Sequence, residues 1–202
     1  MKKIFLTVSL CALFAAGAMA QGMKGGIKAG LNLSNITGDV EGTSMRTAFH
    51  VGGFLNFSFS DALSLQPELL YNSVGAKMSE FYEEEEVEVE VEGTQVLNYL
   101  SIPINLIYSF GNFNVQAGPQ VSFLMSAKQK ADFMGISLDV DNKEAFKSLD
   151  LGLNLGLGAS FGKLHASARY FIGLTDVPDA EGDFSAKNSN IQLSLGYTLF
   201  GE

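Results

Sequence analysis

The sequence predicts an all-β chain: a transmembrane, eight-stranded, antiparallel up-and-down β-barrel. Three observations predict it. Apolar residues recur with period two through most of the chain beyond residue 25. One of the two faces this creates carries no charge on any predicted strand. The connections between strands alternate short and long.

Residues 1–20 read as a cleaved signal peptide and residues 21–202 as the barrel domain. Met1-Lys2-Lys3 is a basic start, Ile4 to Ala16 a short apolar core, and Ala18-Met19-Ala20 a small-residue cleavage site before Gln21. The apolar run is shorter than the roughly 20 residues of a spanning helix. Cys11 is the one cysteine and lies inside that run, so the mature chain offers no disulfide, no thiol nucleophile and no cysteine-ligated metal. An exported chain without cysteine suits an oxidising compartment.

Strand one sets Ile27, Ala29, Leu31 and Leu33 against Lys28, Gly30, Asn32 and Ser34. Strand two sets Phe49, Val51, Gly53, Leu55, Phe57 and Phe59 against His50, Gly52, Phe54, Asn56 and Ser58. Strand three runs from Leu63 to Asn72, strand four from Tyr99 to Tyr108, and strand five from Phe113 to Ser126, all alternating. In strand six, Leu149 to Phe161, every odd position is apolar and every even one is Gly, Ser, Asn or Asp. Gly162-Lys163 is a two-residue hairpin signal leading into strand seven, Leu164 to Thr175. Strand eight alternates from Ile191 to Phe200. Period two means two unlike faces. The charges within strands, Lys28, Glu68, Asp150 and Arg169, all fall on the polar face, whose other members are largely Gly, Ser, Asn and Gln. Small neutral polar residues suit a crowded lumen, and an uncharged band suits lipid. A soluble barrel of lipocalin type would put the apolar face inside, and a core of Gly and Ser would bury too little.

Turns fall near Ser60-Asp61-Ala62, Gly111-Asn112 and Gly162-Lys163, while about 35–47, 78–97, 127–148 and 176–190 are long connections. Membrane barrels put short turns in the periplasm and long loops outside, so both chain ends are expected on the periplasmic side. Phe57, Phe59, Tyr108, Phe113, Phe161 and Tyr197 fall at the short-turn end of the apolar faces, and Phe49, Tyr71 and Phe123 nearer the other end. Two such bands read as aromatic girdles. Pro67 and Pro119 lie mid-strand, where a local bulge would accommodate them.

The formal net charge is −9, which argues against nucleic-acid binding. Much of the acid is local. Glu83, Glu84, Glu85, Glu86, Glu88, Glu90 and Glu92 lie in one run with Val87, Val89 and Val91 between them, so strands three and four are expected to extend as a hairpin. The run reads chiefly as a solvated, self-repelling loop. Its acidic oxygens are the candidate contact for divalent cations.

Several segments resemble the porin-like (PorT-type) outer-membrane β-barrel family found widely in Bacteroidetes. They are Gly26 to Ser34, Leu63 to Tyr71, Leu97 to Pro103, Phe113 to Gln120, and Ala168-Arg169-Tyr170. The resemblance covers essentially the whole mature chain. It implies an outer-membrane location, makes the mid-strand prolines family features, and supplies no catalytic residues.

Glu68 and Arg169 sit at matching heights above the starts of strands three and seven. They are expected to pair across the lumen and plug it, with Lys28 and Asp150 in the same network, since an unpartnered buried charge is costly. His50 and His165 lie at different depths and cannot share a metal. No phosphate loop, dinucleotide fingerprint, metalloprotease motif or zinc spacing occurs, so neither cofactor nor metal is expected. The expected role is structural or interactive, through long acidic outer loops. The expected partners are outer-membrane lipid and lipopolysaccharide, the assembly machinery, and an extracellular or envelope protein. A narrow channel is the first competitor, helped by inward glycines that leave room inside. A lipid-modifying enzyme using His50 is the second, and it is disfavoured because His50 faces inward.

Overall fold

Period two sends alternate side chains to opposite faces of a strand, and the wall of this protein is sorted by that rule. The computed structural model describes residues 22–40, 42–84, 87–133, 136–179 and 185–201. The predicted signal peptide, Glu85 and Glu86 lie outside those residues. The strands are β1 (Met23–Gly38), β2 (Thr43–Ser58), β3 (Leu63–Glu84), β4 (Val87–Phe110), β5 (Phe113–Phe133), β6 (Ile136–Asp141), β7 (Leu149–Phe161), β8 (Leu164–Gly173) and β9 (Ala186–Phe200). Every long strand pairs antiparallel with its neighbours in sequence, β1 pairs with β9, and β4 with β5, which closes a ring of eight. The short β6 lies outside the ring and pairs with β5.

Along β7 the sorting is complete. Leu157 is 64% exposed on the outer face, while Asn154 is fully buried in the lumen. Lys28, Glu68, Asp150 and Arg169 are all buried. The tight turn at Gly162 needs a left-handed backbone (φ 62°) that glycine adopts freely.

Three expectations change. The first concerns strand ends. β1 and β2 continue to Gly38 and from Thr43, and β6 forms inside 127–148, while β3 and β4 stay paired up to Glu84 and Val87 as the expected hairpin. Backbone pairing needs only a neighbouring strand, so it continues where the membrane-facing alternation stops. The second concerns the prolines, which cause no bulge. Pro67 pairs with Ile104 and Pro119 with Leu153, each without a shift of register. Instead each proline sits beside a missing rung. The β2–β3 ladder skips Leu55 and Asn56 opposite Gln66 and Pro67. The β3–β4 ladder skips Glu68 and Leu69 opposite Ile102 and Pro103. The β4–β5 ladder skips Ile104 and Asn105 opposite Gly118 and Pro119. Proline has no N–H to donate, so the rung is lost and the register kept. The third concerns inward glycines, several of which mark close strand approach, whereas Gly196 has only ordinary contacts and lines open space. A Cβ at Gly30 would overlap the Leu193 carbonyl, and one at Gly118 the Ile104 carbonyl.

A bulge in β5 at Met125, opposite the Asn98–Tyr99 step of β4, turns Ala127 into the lumen and leaves Ser126 half-buried. Above it the lumen becomes apolar. Ile36, Val74, Ala76, Leu97, Tyr99, Leu124, Ala127 and Ala186 pack with Val177 from the connection after β8, and Phe146 and Val40 lie against them. That connection is tied to the segment before β7: Lys147 donates to the Val177 carbonyl at 2.9 Å, and Phe146 pairs with Pro178.

Candidate functional site: the lumen

The polar side chains that face inward form tiers. The lowest is a buried ion cluster held by β1, β3, β5 and β8. Glu68 Oε1 accepts from Lys28 Nζ (2.8 Å), Arg169 Nη2 (2.8 Å) and Gln66 Nε2 (2.8 Å), and Oε2 accepts from Arg169 Nη1 (3.1 Å). Arg169 also donates to Gln116 Oε1 at 2.7 Å. Charge-assisted bonds of this kind are the strong ones. Two cations thus share one carboxylate.

Asp150 does not join this cluster. Its oxygens accept from Asn188 (2.8 Å) and Thr175 (2.9 Å), and Asn188 also reaches the Tyr99 hydroxyl at 3.3 Å. Arg169 lies opposite Gly156. Asp150 is six residues further along β7, about 20 Å at the rise of a strand. Sharing a face fixed its orientation and not its depth.

Between these tiers lies a network centred on His50, which is 1% exposed. His50 Nδ1 donates to Asn32 Oδ1 (2.8 Å), and Nε2 accepts from Ser194 Oγ (2.9 Å). Asn32 sets this tautomer, because its amide nitrogen is engaged with Asn72 Oδ1 at 2.7 Å and the Ser73 carbonyl at 2.7 Å. The network runs on through Ser101 and Ser122 to Gln120 and Asn154. A serine, a histidine and an amide in line resemble a hydrolase triad in connectivity. All three are buried, so the arrangement reads as a polar crosslink of the lumen. The sequence named His50 but missed Ser194 and Asn32, for which inward parity was the only available signal.

Beneath the ion cluster, the short-turn end opens into a cup of about 250 Å³. Lys24, Lys28 and His165 line it with Ser64, Ser160 and Thr198, and among the described residues Asp61 is the one carboxylate in its lining. His165 is held between Ser160 Oγ (2.9 Å) and Thr198 Oγ1 (2.7 Å), with Phe54 edge-on to it at 5.8 Å.

On the outside, Phe59, Tyr108, Phe113, Phe161 and Tyr197 are exposed at the short-turn end and Phe57 is half-buried. Phe49 and Phe123 are exposed toward the other end, where half-buried Tyr71 lies 5.8 Å from the Phe49 ring. Phe110, stacked 6.5 Å from Phe113, belongs with the first band and was missed. In the acidic hairpin the register puts Glu83 opposite Glu88, Phe81 opposite Glu90 and Ser79 opposite Glu92, with Glu84 opposite Val87. No group of three or more metal-ligating side chains occurs among the described residues.

A family model described as "Outer membrane protein beta-barrel domain" matches residues 19–179. No match was found among curated proteins. Among solved structures, the chain is similar to Ail, the attachment invasion locus protein of Yersinia pestis. The two share 15% identity over 89% of this chain and 99% of that one, with a TM-score of 0.49. It is also similar to Neisserial surface protein A, at 9% identity over 89% and 100% of the two chains, again with a TM-score of 0.49.

Proposed function

We propose that this chain, which belongs to the outer membrane protein β-barrel domain family, is a plugged barrel that acts through the surfaces it presents outside its wall. One observation carries the reading: the lumen is filled in series by the Glu68 cluster, the His50 network and the apolar group around Leu97 and Tyr99. An eight-stranded barrel is narrow enough for side chains to fill it. Solute flow is then not its task, and the long acidic connections are what remain to be recognised.

In this reading residues 1–20 direct export and are removed. The short turns and both chain ends face the periplasm, and the acidic hairpin faces outward. The aromatic bands seat the wall in lipid and lipopolysaccharide. The envelope assembly machinery inserts it, and an extracellular or envelope protein is the partner of the loops. Within its family we assign it to the PorT-type branch, on the segments described above. We read it as non-enzymatic, since Ser194, His50 and Asn32 form a crosslink away from solvent.

The test is conductance of the purified protein in a planar bilayer, with Glu68→Gln and Arg169→Met alongside. A silent bilayer for the native protein is the expected result. Discrete openings of the native protein, altered by those substitutions, would replace this reading with a channel lined by the cluster.

A further inference from the structure

The ion cluster is unbalanced, and its excess charge sits over a cavity. Lys28 and Arg169 share Glu68, so among the described residues one positive charge in the cup's roof has no counter-charge. An ammonium carries three donors, and Lys28 gives one to Glu68. Its side chain is 6% exposed, yet it lines the cup. A charge held away from water is costly unless a partner answers it. The rest of the lining is polar: Lys24 supplies a second ammonium, hydroxyls surround the space, and the amides of Asn56, Gln66, Asn114 and Gln116 can donate as well as accept. Among the described residues the one lining carboxylate, Asp61, belongs to a short turn and so sits at the mouth. The cup's volume is about 250 Å³, and liquid water takes about 30 Å³ per molecule. The space therefore suits one small anion and not a drug-sized ligand.

We propose that the cup is a binding site for a small oxyanion, a phosphate or a short carboxylate, that enters from the short-turn end and is held by Lys28 and Lys24. The apolar group around Leu97 closes the far end of the lumen, so the anion leaves by the way it came. This goes beyond the plugged-barrel reading and needs nothing of the outer loops.

The test uses the full mature chain folded in a non-ionic, phosphate-free detergent. Inorganic phosphate and, separately, succinate are titrated while amide resonances are followed by NMR. The expected result is a saturable shift confined to residues lining the cup, Gly158 and Gly196 among them. Lys28→Met leaves Glu68 and Arg169 as a balanced pair and should weaken binding at least tenfold. Ser167→Phe fills the cup without touching a charge and should abolish binding. Lys24→Met, at the mouth, should weaken it about threefold, and it keeps the test open if Lys28→Met fails to fold. Circular dichroism establishes folding for each variant. No saturable shift with either anion, or unchanged affinity in the folded lysine variants and in Ser167→Phe, would overturn the proposal. The bilayer measurement is independent of this one, so the two readings can fail separately.

Discussion

In the lower half of the lumen, Glu68 takes four hydrogen bonds from Lys28, Gln66 and Arg169. In the upper half, Leu97, Tyr99, Leu124 and Val177 meet in an apolar cluster, and the buried Asp150 carboxylate is tied to its edge through Asn188 and the Tyr99 hydroxyl. The same wall, with the same period, encloses both. The lower closure is directional: each group depends on a particular partner at a particular height. The upper one depends on volume and on a connection folded back over it. The difference teaches that alternation specifies which way a residue points but not what chemistry fills the space, and that each closure should fail in its own way.

The largest expected effect is in the lower half. Glu68→Ala strands two cations, which should cost about 3–5 kcal/mol, read by urea unfolding in lipid vesicles. Replacing all three charges together, with Lys28→Met, Glu68→Leu and Arg169→Leu, should restore most of that loss. Failure to restore it would mean that Gln66 and Gln116 matter as much as charge balance. In the upper half, Leu97→Ala should cost about 2–5 kcal/mol with little rescue from nearby polar changes. Leu97 is fully buried, and an unfilled apolar volume has no partner to restore. Between the two, Asn32→Ala leaves His50 Nδ1 without its acceptor and should cost about 1–3 kcal/mol. The smallest effect belongs to Asp176, beyond the end of β8. Ser185 donates to its carboxylate at 2.9 Å and lowers its pKa from the ordinary value. The contact is therefore fully present above the ordinary aspartate range and is lost as pH falls through the lowered value. The Ala186 amide donates to the same oxygen at 3.2 Å. Its NMR shift should titrate below the usual aspartate pKa, and Asp176→Asn should abolish that titration.

Much of the barrel was legible because a strand's period is short. Leu149 to Phe161 alone shows thirteen positions of alternation, and a one-residue slip would expose every inward group. Strand ends were not legible. Ile36 and Val74 lie past the alternating stretches, and they help to build the apolar closure. The bulge at Met125 reverses parity in β5, and that is how Ala127 and not Ser126 came to be fully buried. Glu68 and Arg169 were found together because each was counted from a turn at the same end. Asp150 was misplaced because β7 begins at the opposite end, so its position near the start of the strand puts it at the other rim. The cup escaped notice because its lysines belong to a single strand and its hydroxyls to several.

The three missing rungs lie in consecutive seams, β2–β3, β3–β4 and β4–β5, near Pro67, Pro103 and Pro119. The seams β5–β7, β7–β8 and β8–β9 keep unbroken registers. A further gap without proline lies between Met45 and His50 in the β2–β3 seam, and the β1–β9 seam shifts at Gly25, so the breaks cluster toward the β2–β5 side of the wall. A load on the wall should be taken up first where these rungs are missing. Amides beside the gaps should exchange with deuterium before those of the unbroken β5–β7, β7–β8 and β8–β9 seams.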